Sequence, residues 1–96
     1  MAPDISSDRS GSLDHEAVAG SLIKAGFPAT VRGEGAARFV FAEAAGRAVE
    51  ISDAGEGIWV EYWDCGDESP KFDRTFSGGE AAAADACAWL SGASRQ

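Results

Sequence analysis

The sequence feature that most constrains the fold is a series of short alternating segments between residues 29 and 76, separated by glycine-containing or polar turns. Apolar and polar residues that alternate over about four to eight positions are typical of strands with one buried face. Glycine in the connections favours tight hairpins. The sequence therefore predicts an antiparallel meander with strands at 30–32, 38–43, 47–52, 58–64 and 72–76.

Helical patterns flank this region on both sides. Apolar residues recur at helical spacing over 13–25, where Ser12 is a favourable N-cap and Gly26 a favourable stop. A second, alanine-rich helix begins at the S-x-x-E capping box formed by Ser77 and Glu80. This order predicts an α+β fold of the form α-β(4–5)-α, an antiparallel meander sheet with two helices packed on one face.

The chain of 96 residues is long enough for one domain. We predict a single domain over 12–92, with tails at 1–11 and 93–96. No apolar run approaches the roughly 18–20 residues that a membrane helix needs. The first residues also lack the apolar core of a secretory signal. These patterns predict a cytoplasmic protein.

The charge balance narrows the possible partners. Sixteen acidic residues against eight Lys and Arg give a net charge of −8. Binding to nucleic acid needs clustered Lys and Arg, and binding to an anionic membrane needs a basic patch, so we expect neither. A basic protein partner is compatible with the charge, because opposite potentials favour association.

Histidine and cysteine are too sparse for most catalytic or metal sites. His15 is the only histidine, and Cys65 and Cys87 are separated by far more than the spacing of a C-x-x-C pair. Cys87 lies among small apolar residues, as a buried thiol does, whereas Cys65 lies in a polar loop. A disulfide between them is disfavoured in the cytoplasm. We therefore expect no enzyme activity, no metal and no cofactor.

Alternation also assigns the two faces of the sheet. The predicted core face is apolar and consists of Phe39, Phe41, Val49, Ile51, Ile58, Val60, Tyr62, Phe72 and Phe76. The predicted opposite face consists of Arg38, Val40, Glu50, Ser52, Trp59, Glu61, Trp63, Asp73 and Thr75. Trp59 and Trp63 then flank Glu61 on an uncovered face, which is typical of a binding surface. One alternative places both tryptophans in the core, since a one-residue shift reverses the faces of a strand. Another is that the tryptophans cover each other and the protein's own tail.

Acidic residues concentrate between residues 48 and 70, a window that contains seven acids and no Lys or Arg. We expect Trp59 and Trp63 to be anchors for a basic partner. The carboxylates expected to pair with its Lys and Arg are those of Glu50, Glu61, Asp64, Asp67 and Glu68. The alternative is that turn residues and a solvated sheet face happen to coincide in this window.

In size, charge and element order the chain is similar to the small acidic inhibitors of bacteria and phages, such as toxin immunity proteins and anti-CRISPR proteins. That resemblance implies binding to a nuclease toxin or another nucleic-acid-handling complex. The leading prediction is a non-catalytic inhibitor that masks a basic surface of its partner. The alternative is an assembly module in which the aromatic sheet face forms a homodimer without any inhibitory role.

Overall fold

The structure, a computed structural model, describes residues 13–64 and 66–92 and confirms the predicted α+β fold. The helices are α1 (His15–Lys24) and α2 (Gly79–Ser91). The strands between them are β1 (Ala29–Arg32), β2 (Phe39–Ala44), β3 (Arg47–Asp53), β4 (Ile58–Trp63) and β5 (Phe72–Phe76). The predicted tails at 1–11 and 93–96, and Ser12 and Cys65, lie outside the described residues.

The five strands form one antiparallel sheet in the order β1-β2-β3-β4-β5, so each strand pairs with its neighbour in sequence. The β2–β3 hairpin closes through Ala45 and Gly46, with φ of 55° and 85°. Positive φ at both central positions gives the twist that antiparallel strands require, but it is unfavourable for an alanine.

Helix α1 begins and ends with local signals. Its N-cap is Asp14, whose side chain accepts a hydrogen bond from the Ala17 amide at 3.0 Å, so Asp14 takes the place predicted for Ser12. At its end Gly26 adopts φ 101°, and the Phe27 amide donates to the carbonyl of Leu22 at 3.0 Å. This Schellman arrangement confirms the predicted stop and returns the chain toward β1.

Helix α2 begins differently from the prediction. Its N-cap is Gly78, with no side-chain cap, and the first helical hydrogen bond runs from the Ala82 amide to the Gly78 carbonyl at 3.2 Å. The predicted capping box of Ser77 and Glu80 is therefore wrong, because starting one residue later moves Glu80 out of the third helical position. A Cβ built on Gly79 would lie 3.1 Å from the Val18 side chain, so α2 starts close against α1.

Both helices lie on one face of the sheet, α1 against β1 and β2, and α2 against β3, β4 and β5. The buried core consists of Leu13, Val18, Ala19, Leu22, Val40, Ala42, Val49, Ile51, Ile58, Val60, Tyr62, Ala82, Ala83, Ala86, Trp89 and Leu90. Phe72 and Phe76 pack against this core, and the Phe72 ring stacks on Tyr62 at 4.5 Å. Neither described helix has the length and apolarity needed to cross a lipid bilayer.

The face predicted for strand β2 is wrong. Val40 is fully buried and pairs with Ile51, whereas Phe39 and Phe41 point to the opposite face and are only half-buried. The reason is Glu43, which shares a face with both phenylalanines because side chains alternate along a strand. Turning the phenylalanines inward would bury that carboxylate, at a high cost in desolvation.

Candidate functional site

The candidate site is the sheet surface opposite the helices, which we call the outer face. Its strand positions are Thr30, Arg32, Phe39, Phe41, Glu43, Ala48, Glu50, Ser52, Trp59, Glu61, Trp63, Asp73 and Thr75. No helix of the described chain lies on this surface. It combines aromatic rings with carboxylates, and Arg32 is the cation among its strand positions.

Both tryptophans of β4 lie on the outer face. Trp59 is 38% exposed, and Trp63 is half-buried at the end of the strand. The alternate residues Ile58, Val60 and Tyr62 are buried on the other face. The backbone carbonyl of Trp63 accepts a hydrogen bond of 3.0 Å from the Trp89 indole of α2. This bond connects the end of β4 to α2 on the core side of the sheet, and it helps to fix the position of Trp63.

A row of carboxylates crosses the outer face between the tryptophans. Glu50 pairs directly with Glu61, and Glu61 with Asp73, across three adjacent strands. Directly opposed side chains are about 4.5–5.5 Å apart at Cβ, so the three carboxylates repel one another. We call Glu50, Glu61 and Asp73 the acidic row.

The electrostatics of the row follow from this geometry. Burial raises the pKa of Glu50, an effect that nearby Arg32 partly offsets. Burial also raises the pKa of Glu61, and the negative charges of Glu50 and Asp73 raise it further. Within the described residues, none of these three carboxylates has an ion-pair partner within 4.0 Å.

The predicted site residues in the loop after β4 do not all lie next to the outer face. Asp64 forms an ion pair with Arg47 at 3.7 Å, and Asp67 forms one with Lys71 at 3.7 Å. The Asp67 carboxylate also accepts the Asp64 amide at 2.8 Å, which shapes the loop. Glu68 is exposed beyond this turn. The structure thus brings Glu50 and Glu61 between Trp59 and Trp63, sets Asp64 and Asp67 at one end of the outer face, and leaves Glu68 apart.

Sequence reasoning missed four contributors to this surface. The alternation pattern places Phe39 and Phe41 in the core, and Glu43 and Asp73 are not among the predicted partner-binding residues. For β2, the available signal was that Glu43 alternates with the two phenylalanines along the strand and therefore shares their face. For Asp73, the signal was its place opposite Glu61, which needs the register between β4 and β5.

The remaining polar groups of the core side have structural partners. The Tyr62 hydroxyl donates to Asp85, which also accepts from Arg74 at 3.2 Å, and burial raises the pKa of Tyr62 far above its usual value. Cys87 is half-buried, and burial raises the pKa of its thiol, so it is a poor nucleophile. Across residues 13–64 and 66–92, no three His, Cys, Asp or Glu side chains converge as a metal-binding group.

Comparisons with known proteins add no assignment. No protein family model, no curated protein and no solved structure matches this chain. The outer face itself is therefore the basis for a functional proposal.

Proposed function

We propose that this protein is a non-catalytic inhibitor that acts in the cytoplasm by covering a basic surface of a nucleic-acid-handling protein. Trp59 and Trp63 are the apolar anchors of the interface. The acidic row between them receives Lys or Arg side chains of the partner. Covering those side chains removes the positive surface that the partner needs to hold a phosphate backbone.

The observation that carries this proposal is the acidic row between two tryptophans, on a sheet face that no helix of the described residues covers. Like charges placed directly opposite each other destabilise a sheet, and exposed tryptophan lowers solubility. Both features are unfavourable for the isolated protein and become favourable against a basic surface with apolar contacts, where the carboxylates gain cations and the rings lose water.

The charges of the outer face are less favourable for a homodimer than for a complex with a basic partner. Two outer faces brought together around a two-fold axis would place one acidic row close to another. Within the strand positions of this face, only Arg32 could offset that repulsion. Charge complementarity therefore favours a basic partner over a second copy.

The test begins with capture of the partner from the cells in which the protein is expressed, using a photo-reactive residue in place of Phe39 on the outer face. The captured protein is then purified, and its binding to nucleic acid is measured as the inhibitor is added. We expect a basic partner whose nucleic-acid binding is lost at 1:1 stoichiometry. Glu61→Lys should weaken the complex by at least about tenfold at low salt.

Glu56→Lys is the matched control, because it makes the same charge change in the exposed turn between β3 and β4, outside the strand positions of the outer face. It should weaken the complex far less than Glu61→Lys does. Equal losses for the two variants would show that only net charge matters and would contradict the proposed surface. Binding without any effect on the partner's nucleic-acid binding would contradict the inhibitory role. A salt-resistant homodimer that Trp63→Ala disrupts would instead support the assembly module.

A further inference from the structure

A groove of about 350 Å³ lies at one end of the outer face. Its floor is Ala48, which stands between Glu43 on β2 and Trp63 on β4 in the strand register. A methyl side chain between two long neighbours leaves the floor recessed. Phe41 and Trp63 supply aromatic walls, and Glu43 and Glu50 supply carboxylates. The groove is therefore both aromatic and negatively charged.

The carboxylates around the groove differ in what they already bind. Asp64 and Asp67 at its rim are paired with Arg47 and Lys71, each at 3.7 Å. Among the described residues, Glu43 and Glu50 have no such ion pair. In the register, Glu43 and Glu50 are diagonal neighbours, which places them roughly 7–8 Å apart. A single planar cation between them has room to contact both.

The protein's own arginines indicate which cation suits this combination. The Arg47 guanidinium lies 4.2 Å from the centre of the Trp89 ring and 3.7 Å from the Asp64 carboxylate. On the outer face, the Arg32 guanidinium lies 4.3 Å from the centre of the Phe41 ring. Both arginines stack on an aromatic ring, and Arg47 also pairs with a carboxylate.

Trp63, Glu43 and Glu50 present the same combination of ring and carboxylates with no arginine from the described chain on the Trp63 ring. We propose that this groove binds the guanidinium group of an arginine side chain from the basic partner. Arginine suits it better than lysine, because a planar guanidinium stacks on the indole while it donates to carboxylates at its edge. The inference rests on the proposed function and makes it specific, since it assigns one arginine of the partner to the Trp63 end of the outer face.

The test uses a small probe, so it does not depend on knowing the partner. N-acetyl-arginine amide is titrated into the ¹⁵N-labelled full chain, and the Trp63 indole and the Ala48 amide signals are followed. N-acetyl-lysine amide and N-acetyl-citrulline amide are the comparisons, since citrulline keeps the shape of arginine without its charge. We expect saturable arginine binding in the millimolar range, on the order of what one small ligand group achieves. Lysine should bind at least about threefold more weakly, and citrulline should produce no saturable shift.

Ala48→Ile fills the floor of the groove without changing any charge, and we expect it to weaken arginine binding about tenfold. Ser52→Ile is the matched control, because it adds a branched side chain to the same face of β3 outside the groove. If Ala48→Ile does not fold, its NMR spectrum loses the dispersion of amide signals. Glu43→Gln then tests the same site through its charge and should also weaken arginine binding. Equal binding of arginine and lysine, or unchanged arginine binding in the variant that folds, would overturn the inference.

The two proposals fail in distinguishable ways. If the groove does not select arginine, Glu61→Lys still weakens the complex with the partner, and only the groove assignment is lost. If no basic partner depends on Glu61, the arginine titration still reports on the groove, and it is the masking function that is lost.

Discussion

Replacing Glu61 by Gln should stabilise the protein at neutral pH, although it removes a residue of the candidate site. Glu61 lies directly between Glu50 and Asp73 in the strand register, so one substitution removes two like-charge contacts. Each directly opposed pair of like charges is worth roughly 0.2–1 kcal/mol. We therefore expect the free energy of unfolding at pH 7 to rise by about 0.5–2 kcal/mol. For a domain of this size, each kcal/mol corresponds to a rise of roughly 4–8 °C in Tm.

The pH dependence of this gain follows from the raised pKa of Glu61. Burial and the two neighbouring carboxylates raise that pKa in the folded protein above its ordinary value of 4.5. The folded state therefore holds the proton more tightly than the unfolded chain, and stability falls as the pH rises through the interval just above 4.5. Below that interval Glu61 is neutral in both states, so the wild type and Glu61→Gln should converge.

The assay is urea unfolding followed by circular dichroism at pH 7 and pH 3, with and without about 1 M NaCl. Glu56→Gln is the control, because it removes the same charge from an exposed turn and should change stability by less than about 0.5 kcal/mol. The advantage of Glu61→Gln should shrink in high salt. A variant no more stable than the control, or a gain that persists at pH 3, would refute the view that the acidic row opposes folding.

Three further predictions concern the fold. Asp14→Ala should lower the free energy of unfolding by about 1 kcal/mol through loss of the N-cap bond to Ala17, while Asp14→Asn should retain most of it in the same urea experiment. Ala45→Asn should raise stability by about 0.5–1 kcal/mol, because asparagine tolerates the positive φ of 55° at this turn; a lower urea midpoint would contradict this. The protein has one tyrosine, and the raised pKa of Tyr62 predicts that phenolate absorbance near 295 nm appears only as circular dichroism is lost above about pH 10. Phenolate formation in the folded protein would contradict the buried bond to Asp85.

The sequence was most informative where a single local pattern decides the structure. In β4, branched and aromatic residues alternate with Trp59, Glu61 and Trp63, and the strand forms at Ile58–Trp63 with its apolar residues buried. The glycine stop at Gly26 and the closing Gly92 are also decided locally, because their left-handed conformations need no tertiary contact. Such elements could be predicted to within a residue or two.

The sequence was least informative where two local choices compete. Strand β2 is apolar on both faces, with Phe39 and Phe41 on one side and Val40 and Ala42 on the other. Side-chain size favours burial of the phenylalanines. In the structure, the register with β3 and the charge of Glu43 instead place them on the outer face and bury Val40 and Ala42. The capping box of α2 failed for a related reason, since the close approach of Gly79 to α1 accompanies a helix start one residue later. Both errors concern tertiary contacts.

The observed orientation of β2 strengthens the case for a binding surface on the outer face. With Phe39 and Phe41 turned outward, the outer face holds aromatic side chains on β2 as well as on β4. Phe39 lies in the same cross-strand row as Trp59, and Phe41 in the same row as Glu50 and Glu61. The partner proposed for this face should therefore offer apolar contacts together with cations, as a folded basic protein does.

The electrostatic character of the outer face can be measured before any partner is known, by comparing cationic, anionic and neutral quenchers of Trp59 fluorescence. Trp59 is 38% exposed beside the acidic row, whereas Trp89 is 3% exposed in the core. A carboxylate about 7 Å away changes the local concentration of a monovalent ion by roughly twofold or more. Each quenching constant is first divided by the value that the same quencher gives with free N-acetyl-tryptophan amide, because caesium and iodide differ in intrinsic efficiency. On that scale caesium should quench Trp59 at least about twice as well as iodide does, with acrylamide as the neutral reference. The signal of Trp59 is obtained by subtracting the spectrum of Trp59→Phe from that of the wild type, which removes the contributions of both Trp63 and Trp89. In Glu61→Lys the preference for caesium should fall toward unity. Equal quenching by the two ions in the wild type would mean that the carboxylates do not set the potential at Trp59, and the electrostatic basis for a basic partner would then be lost.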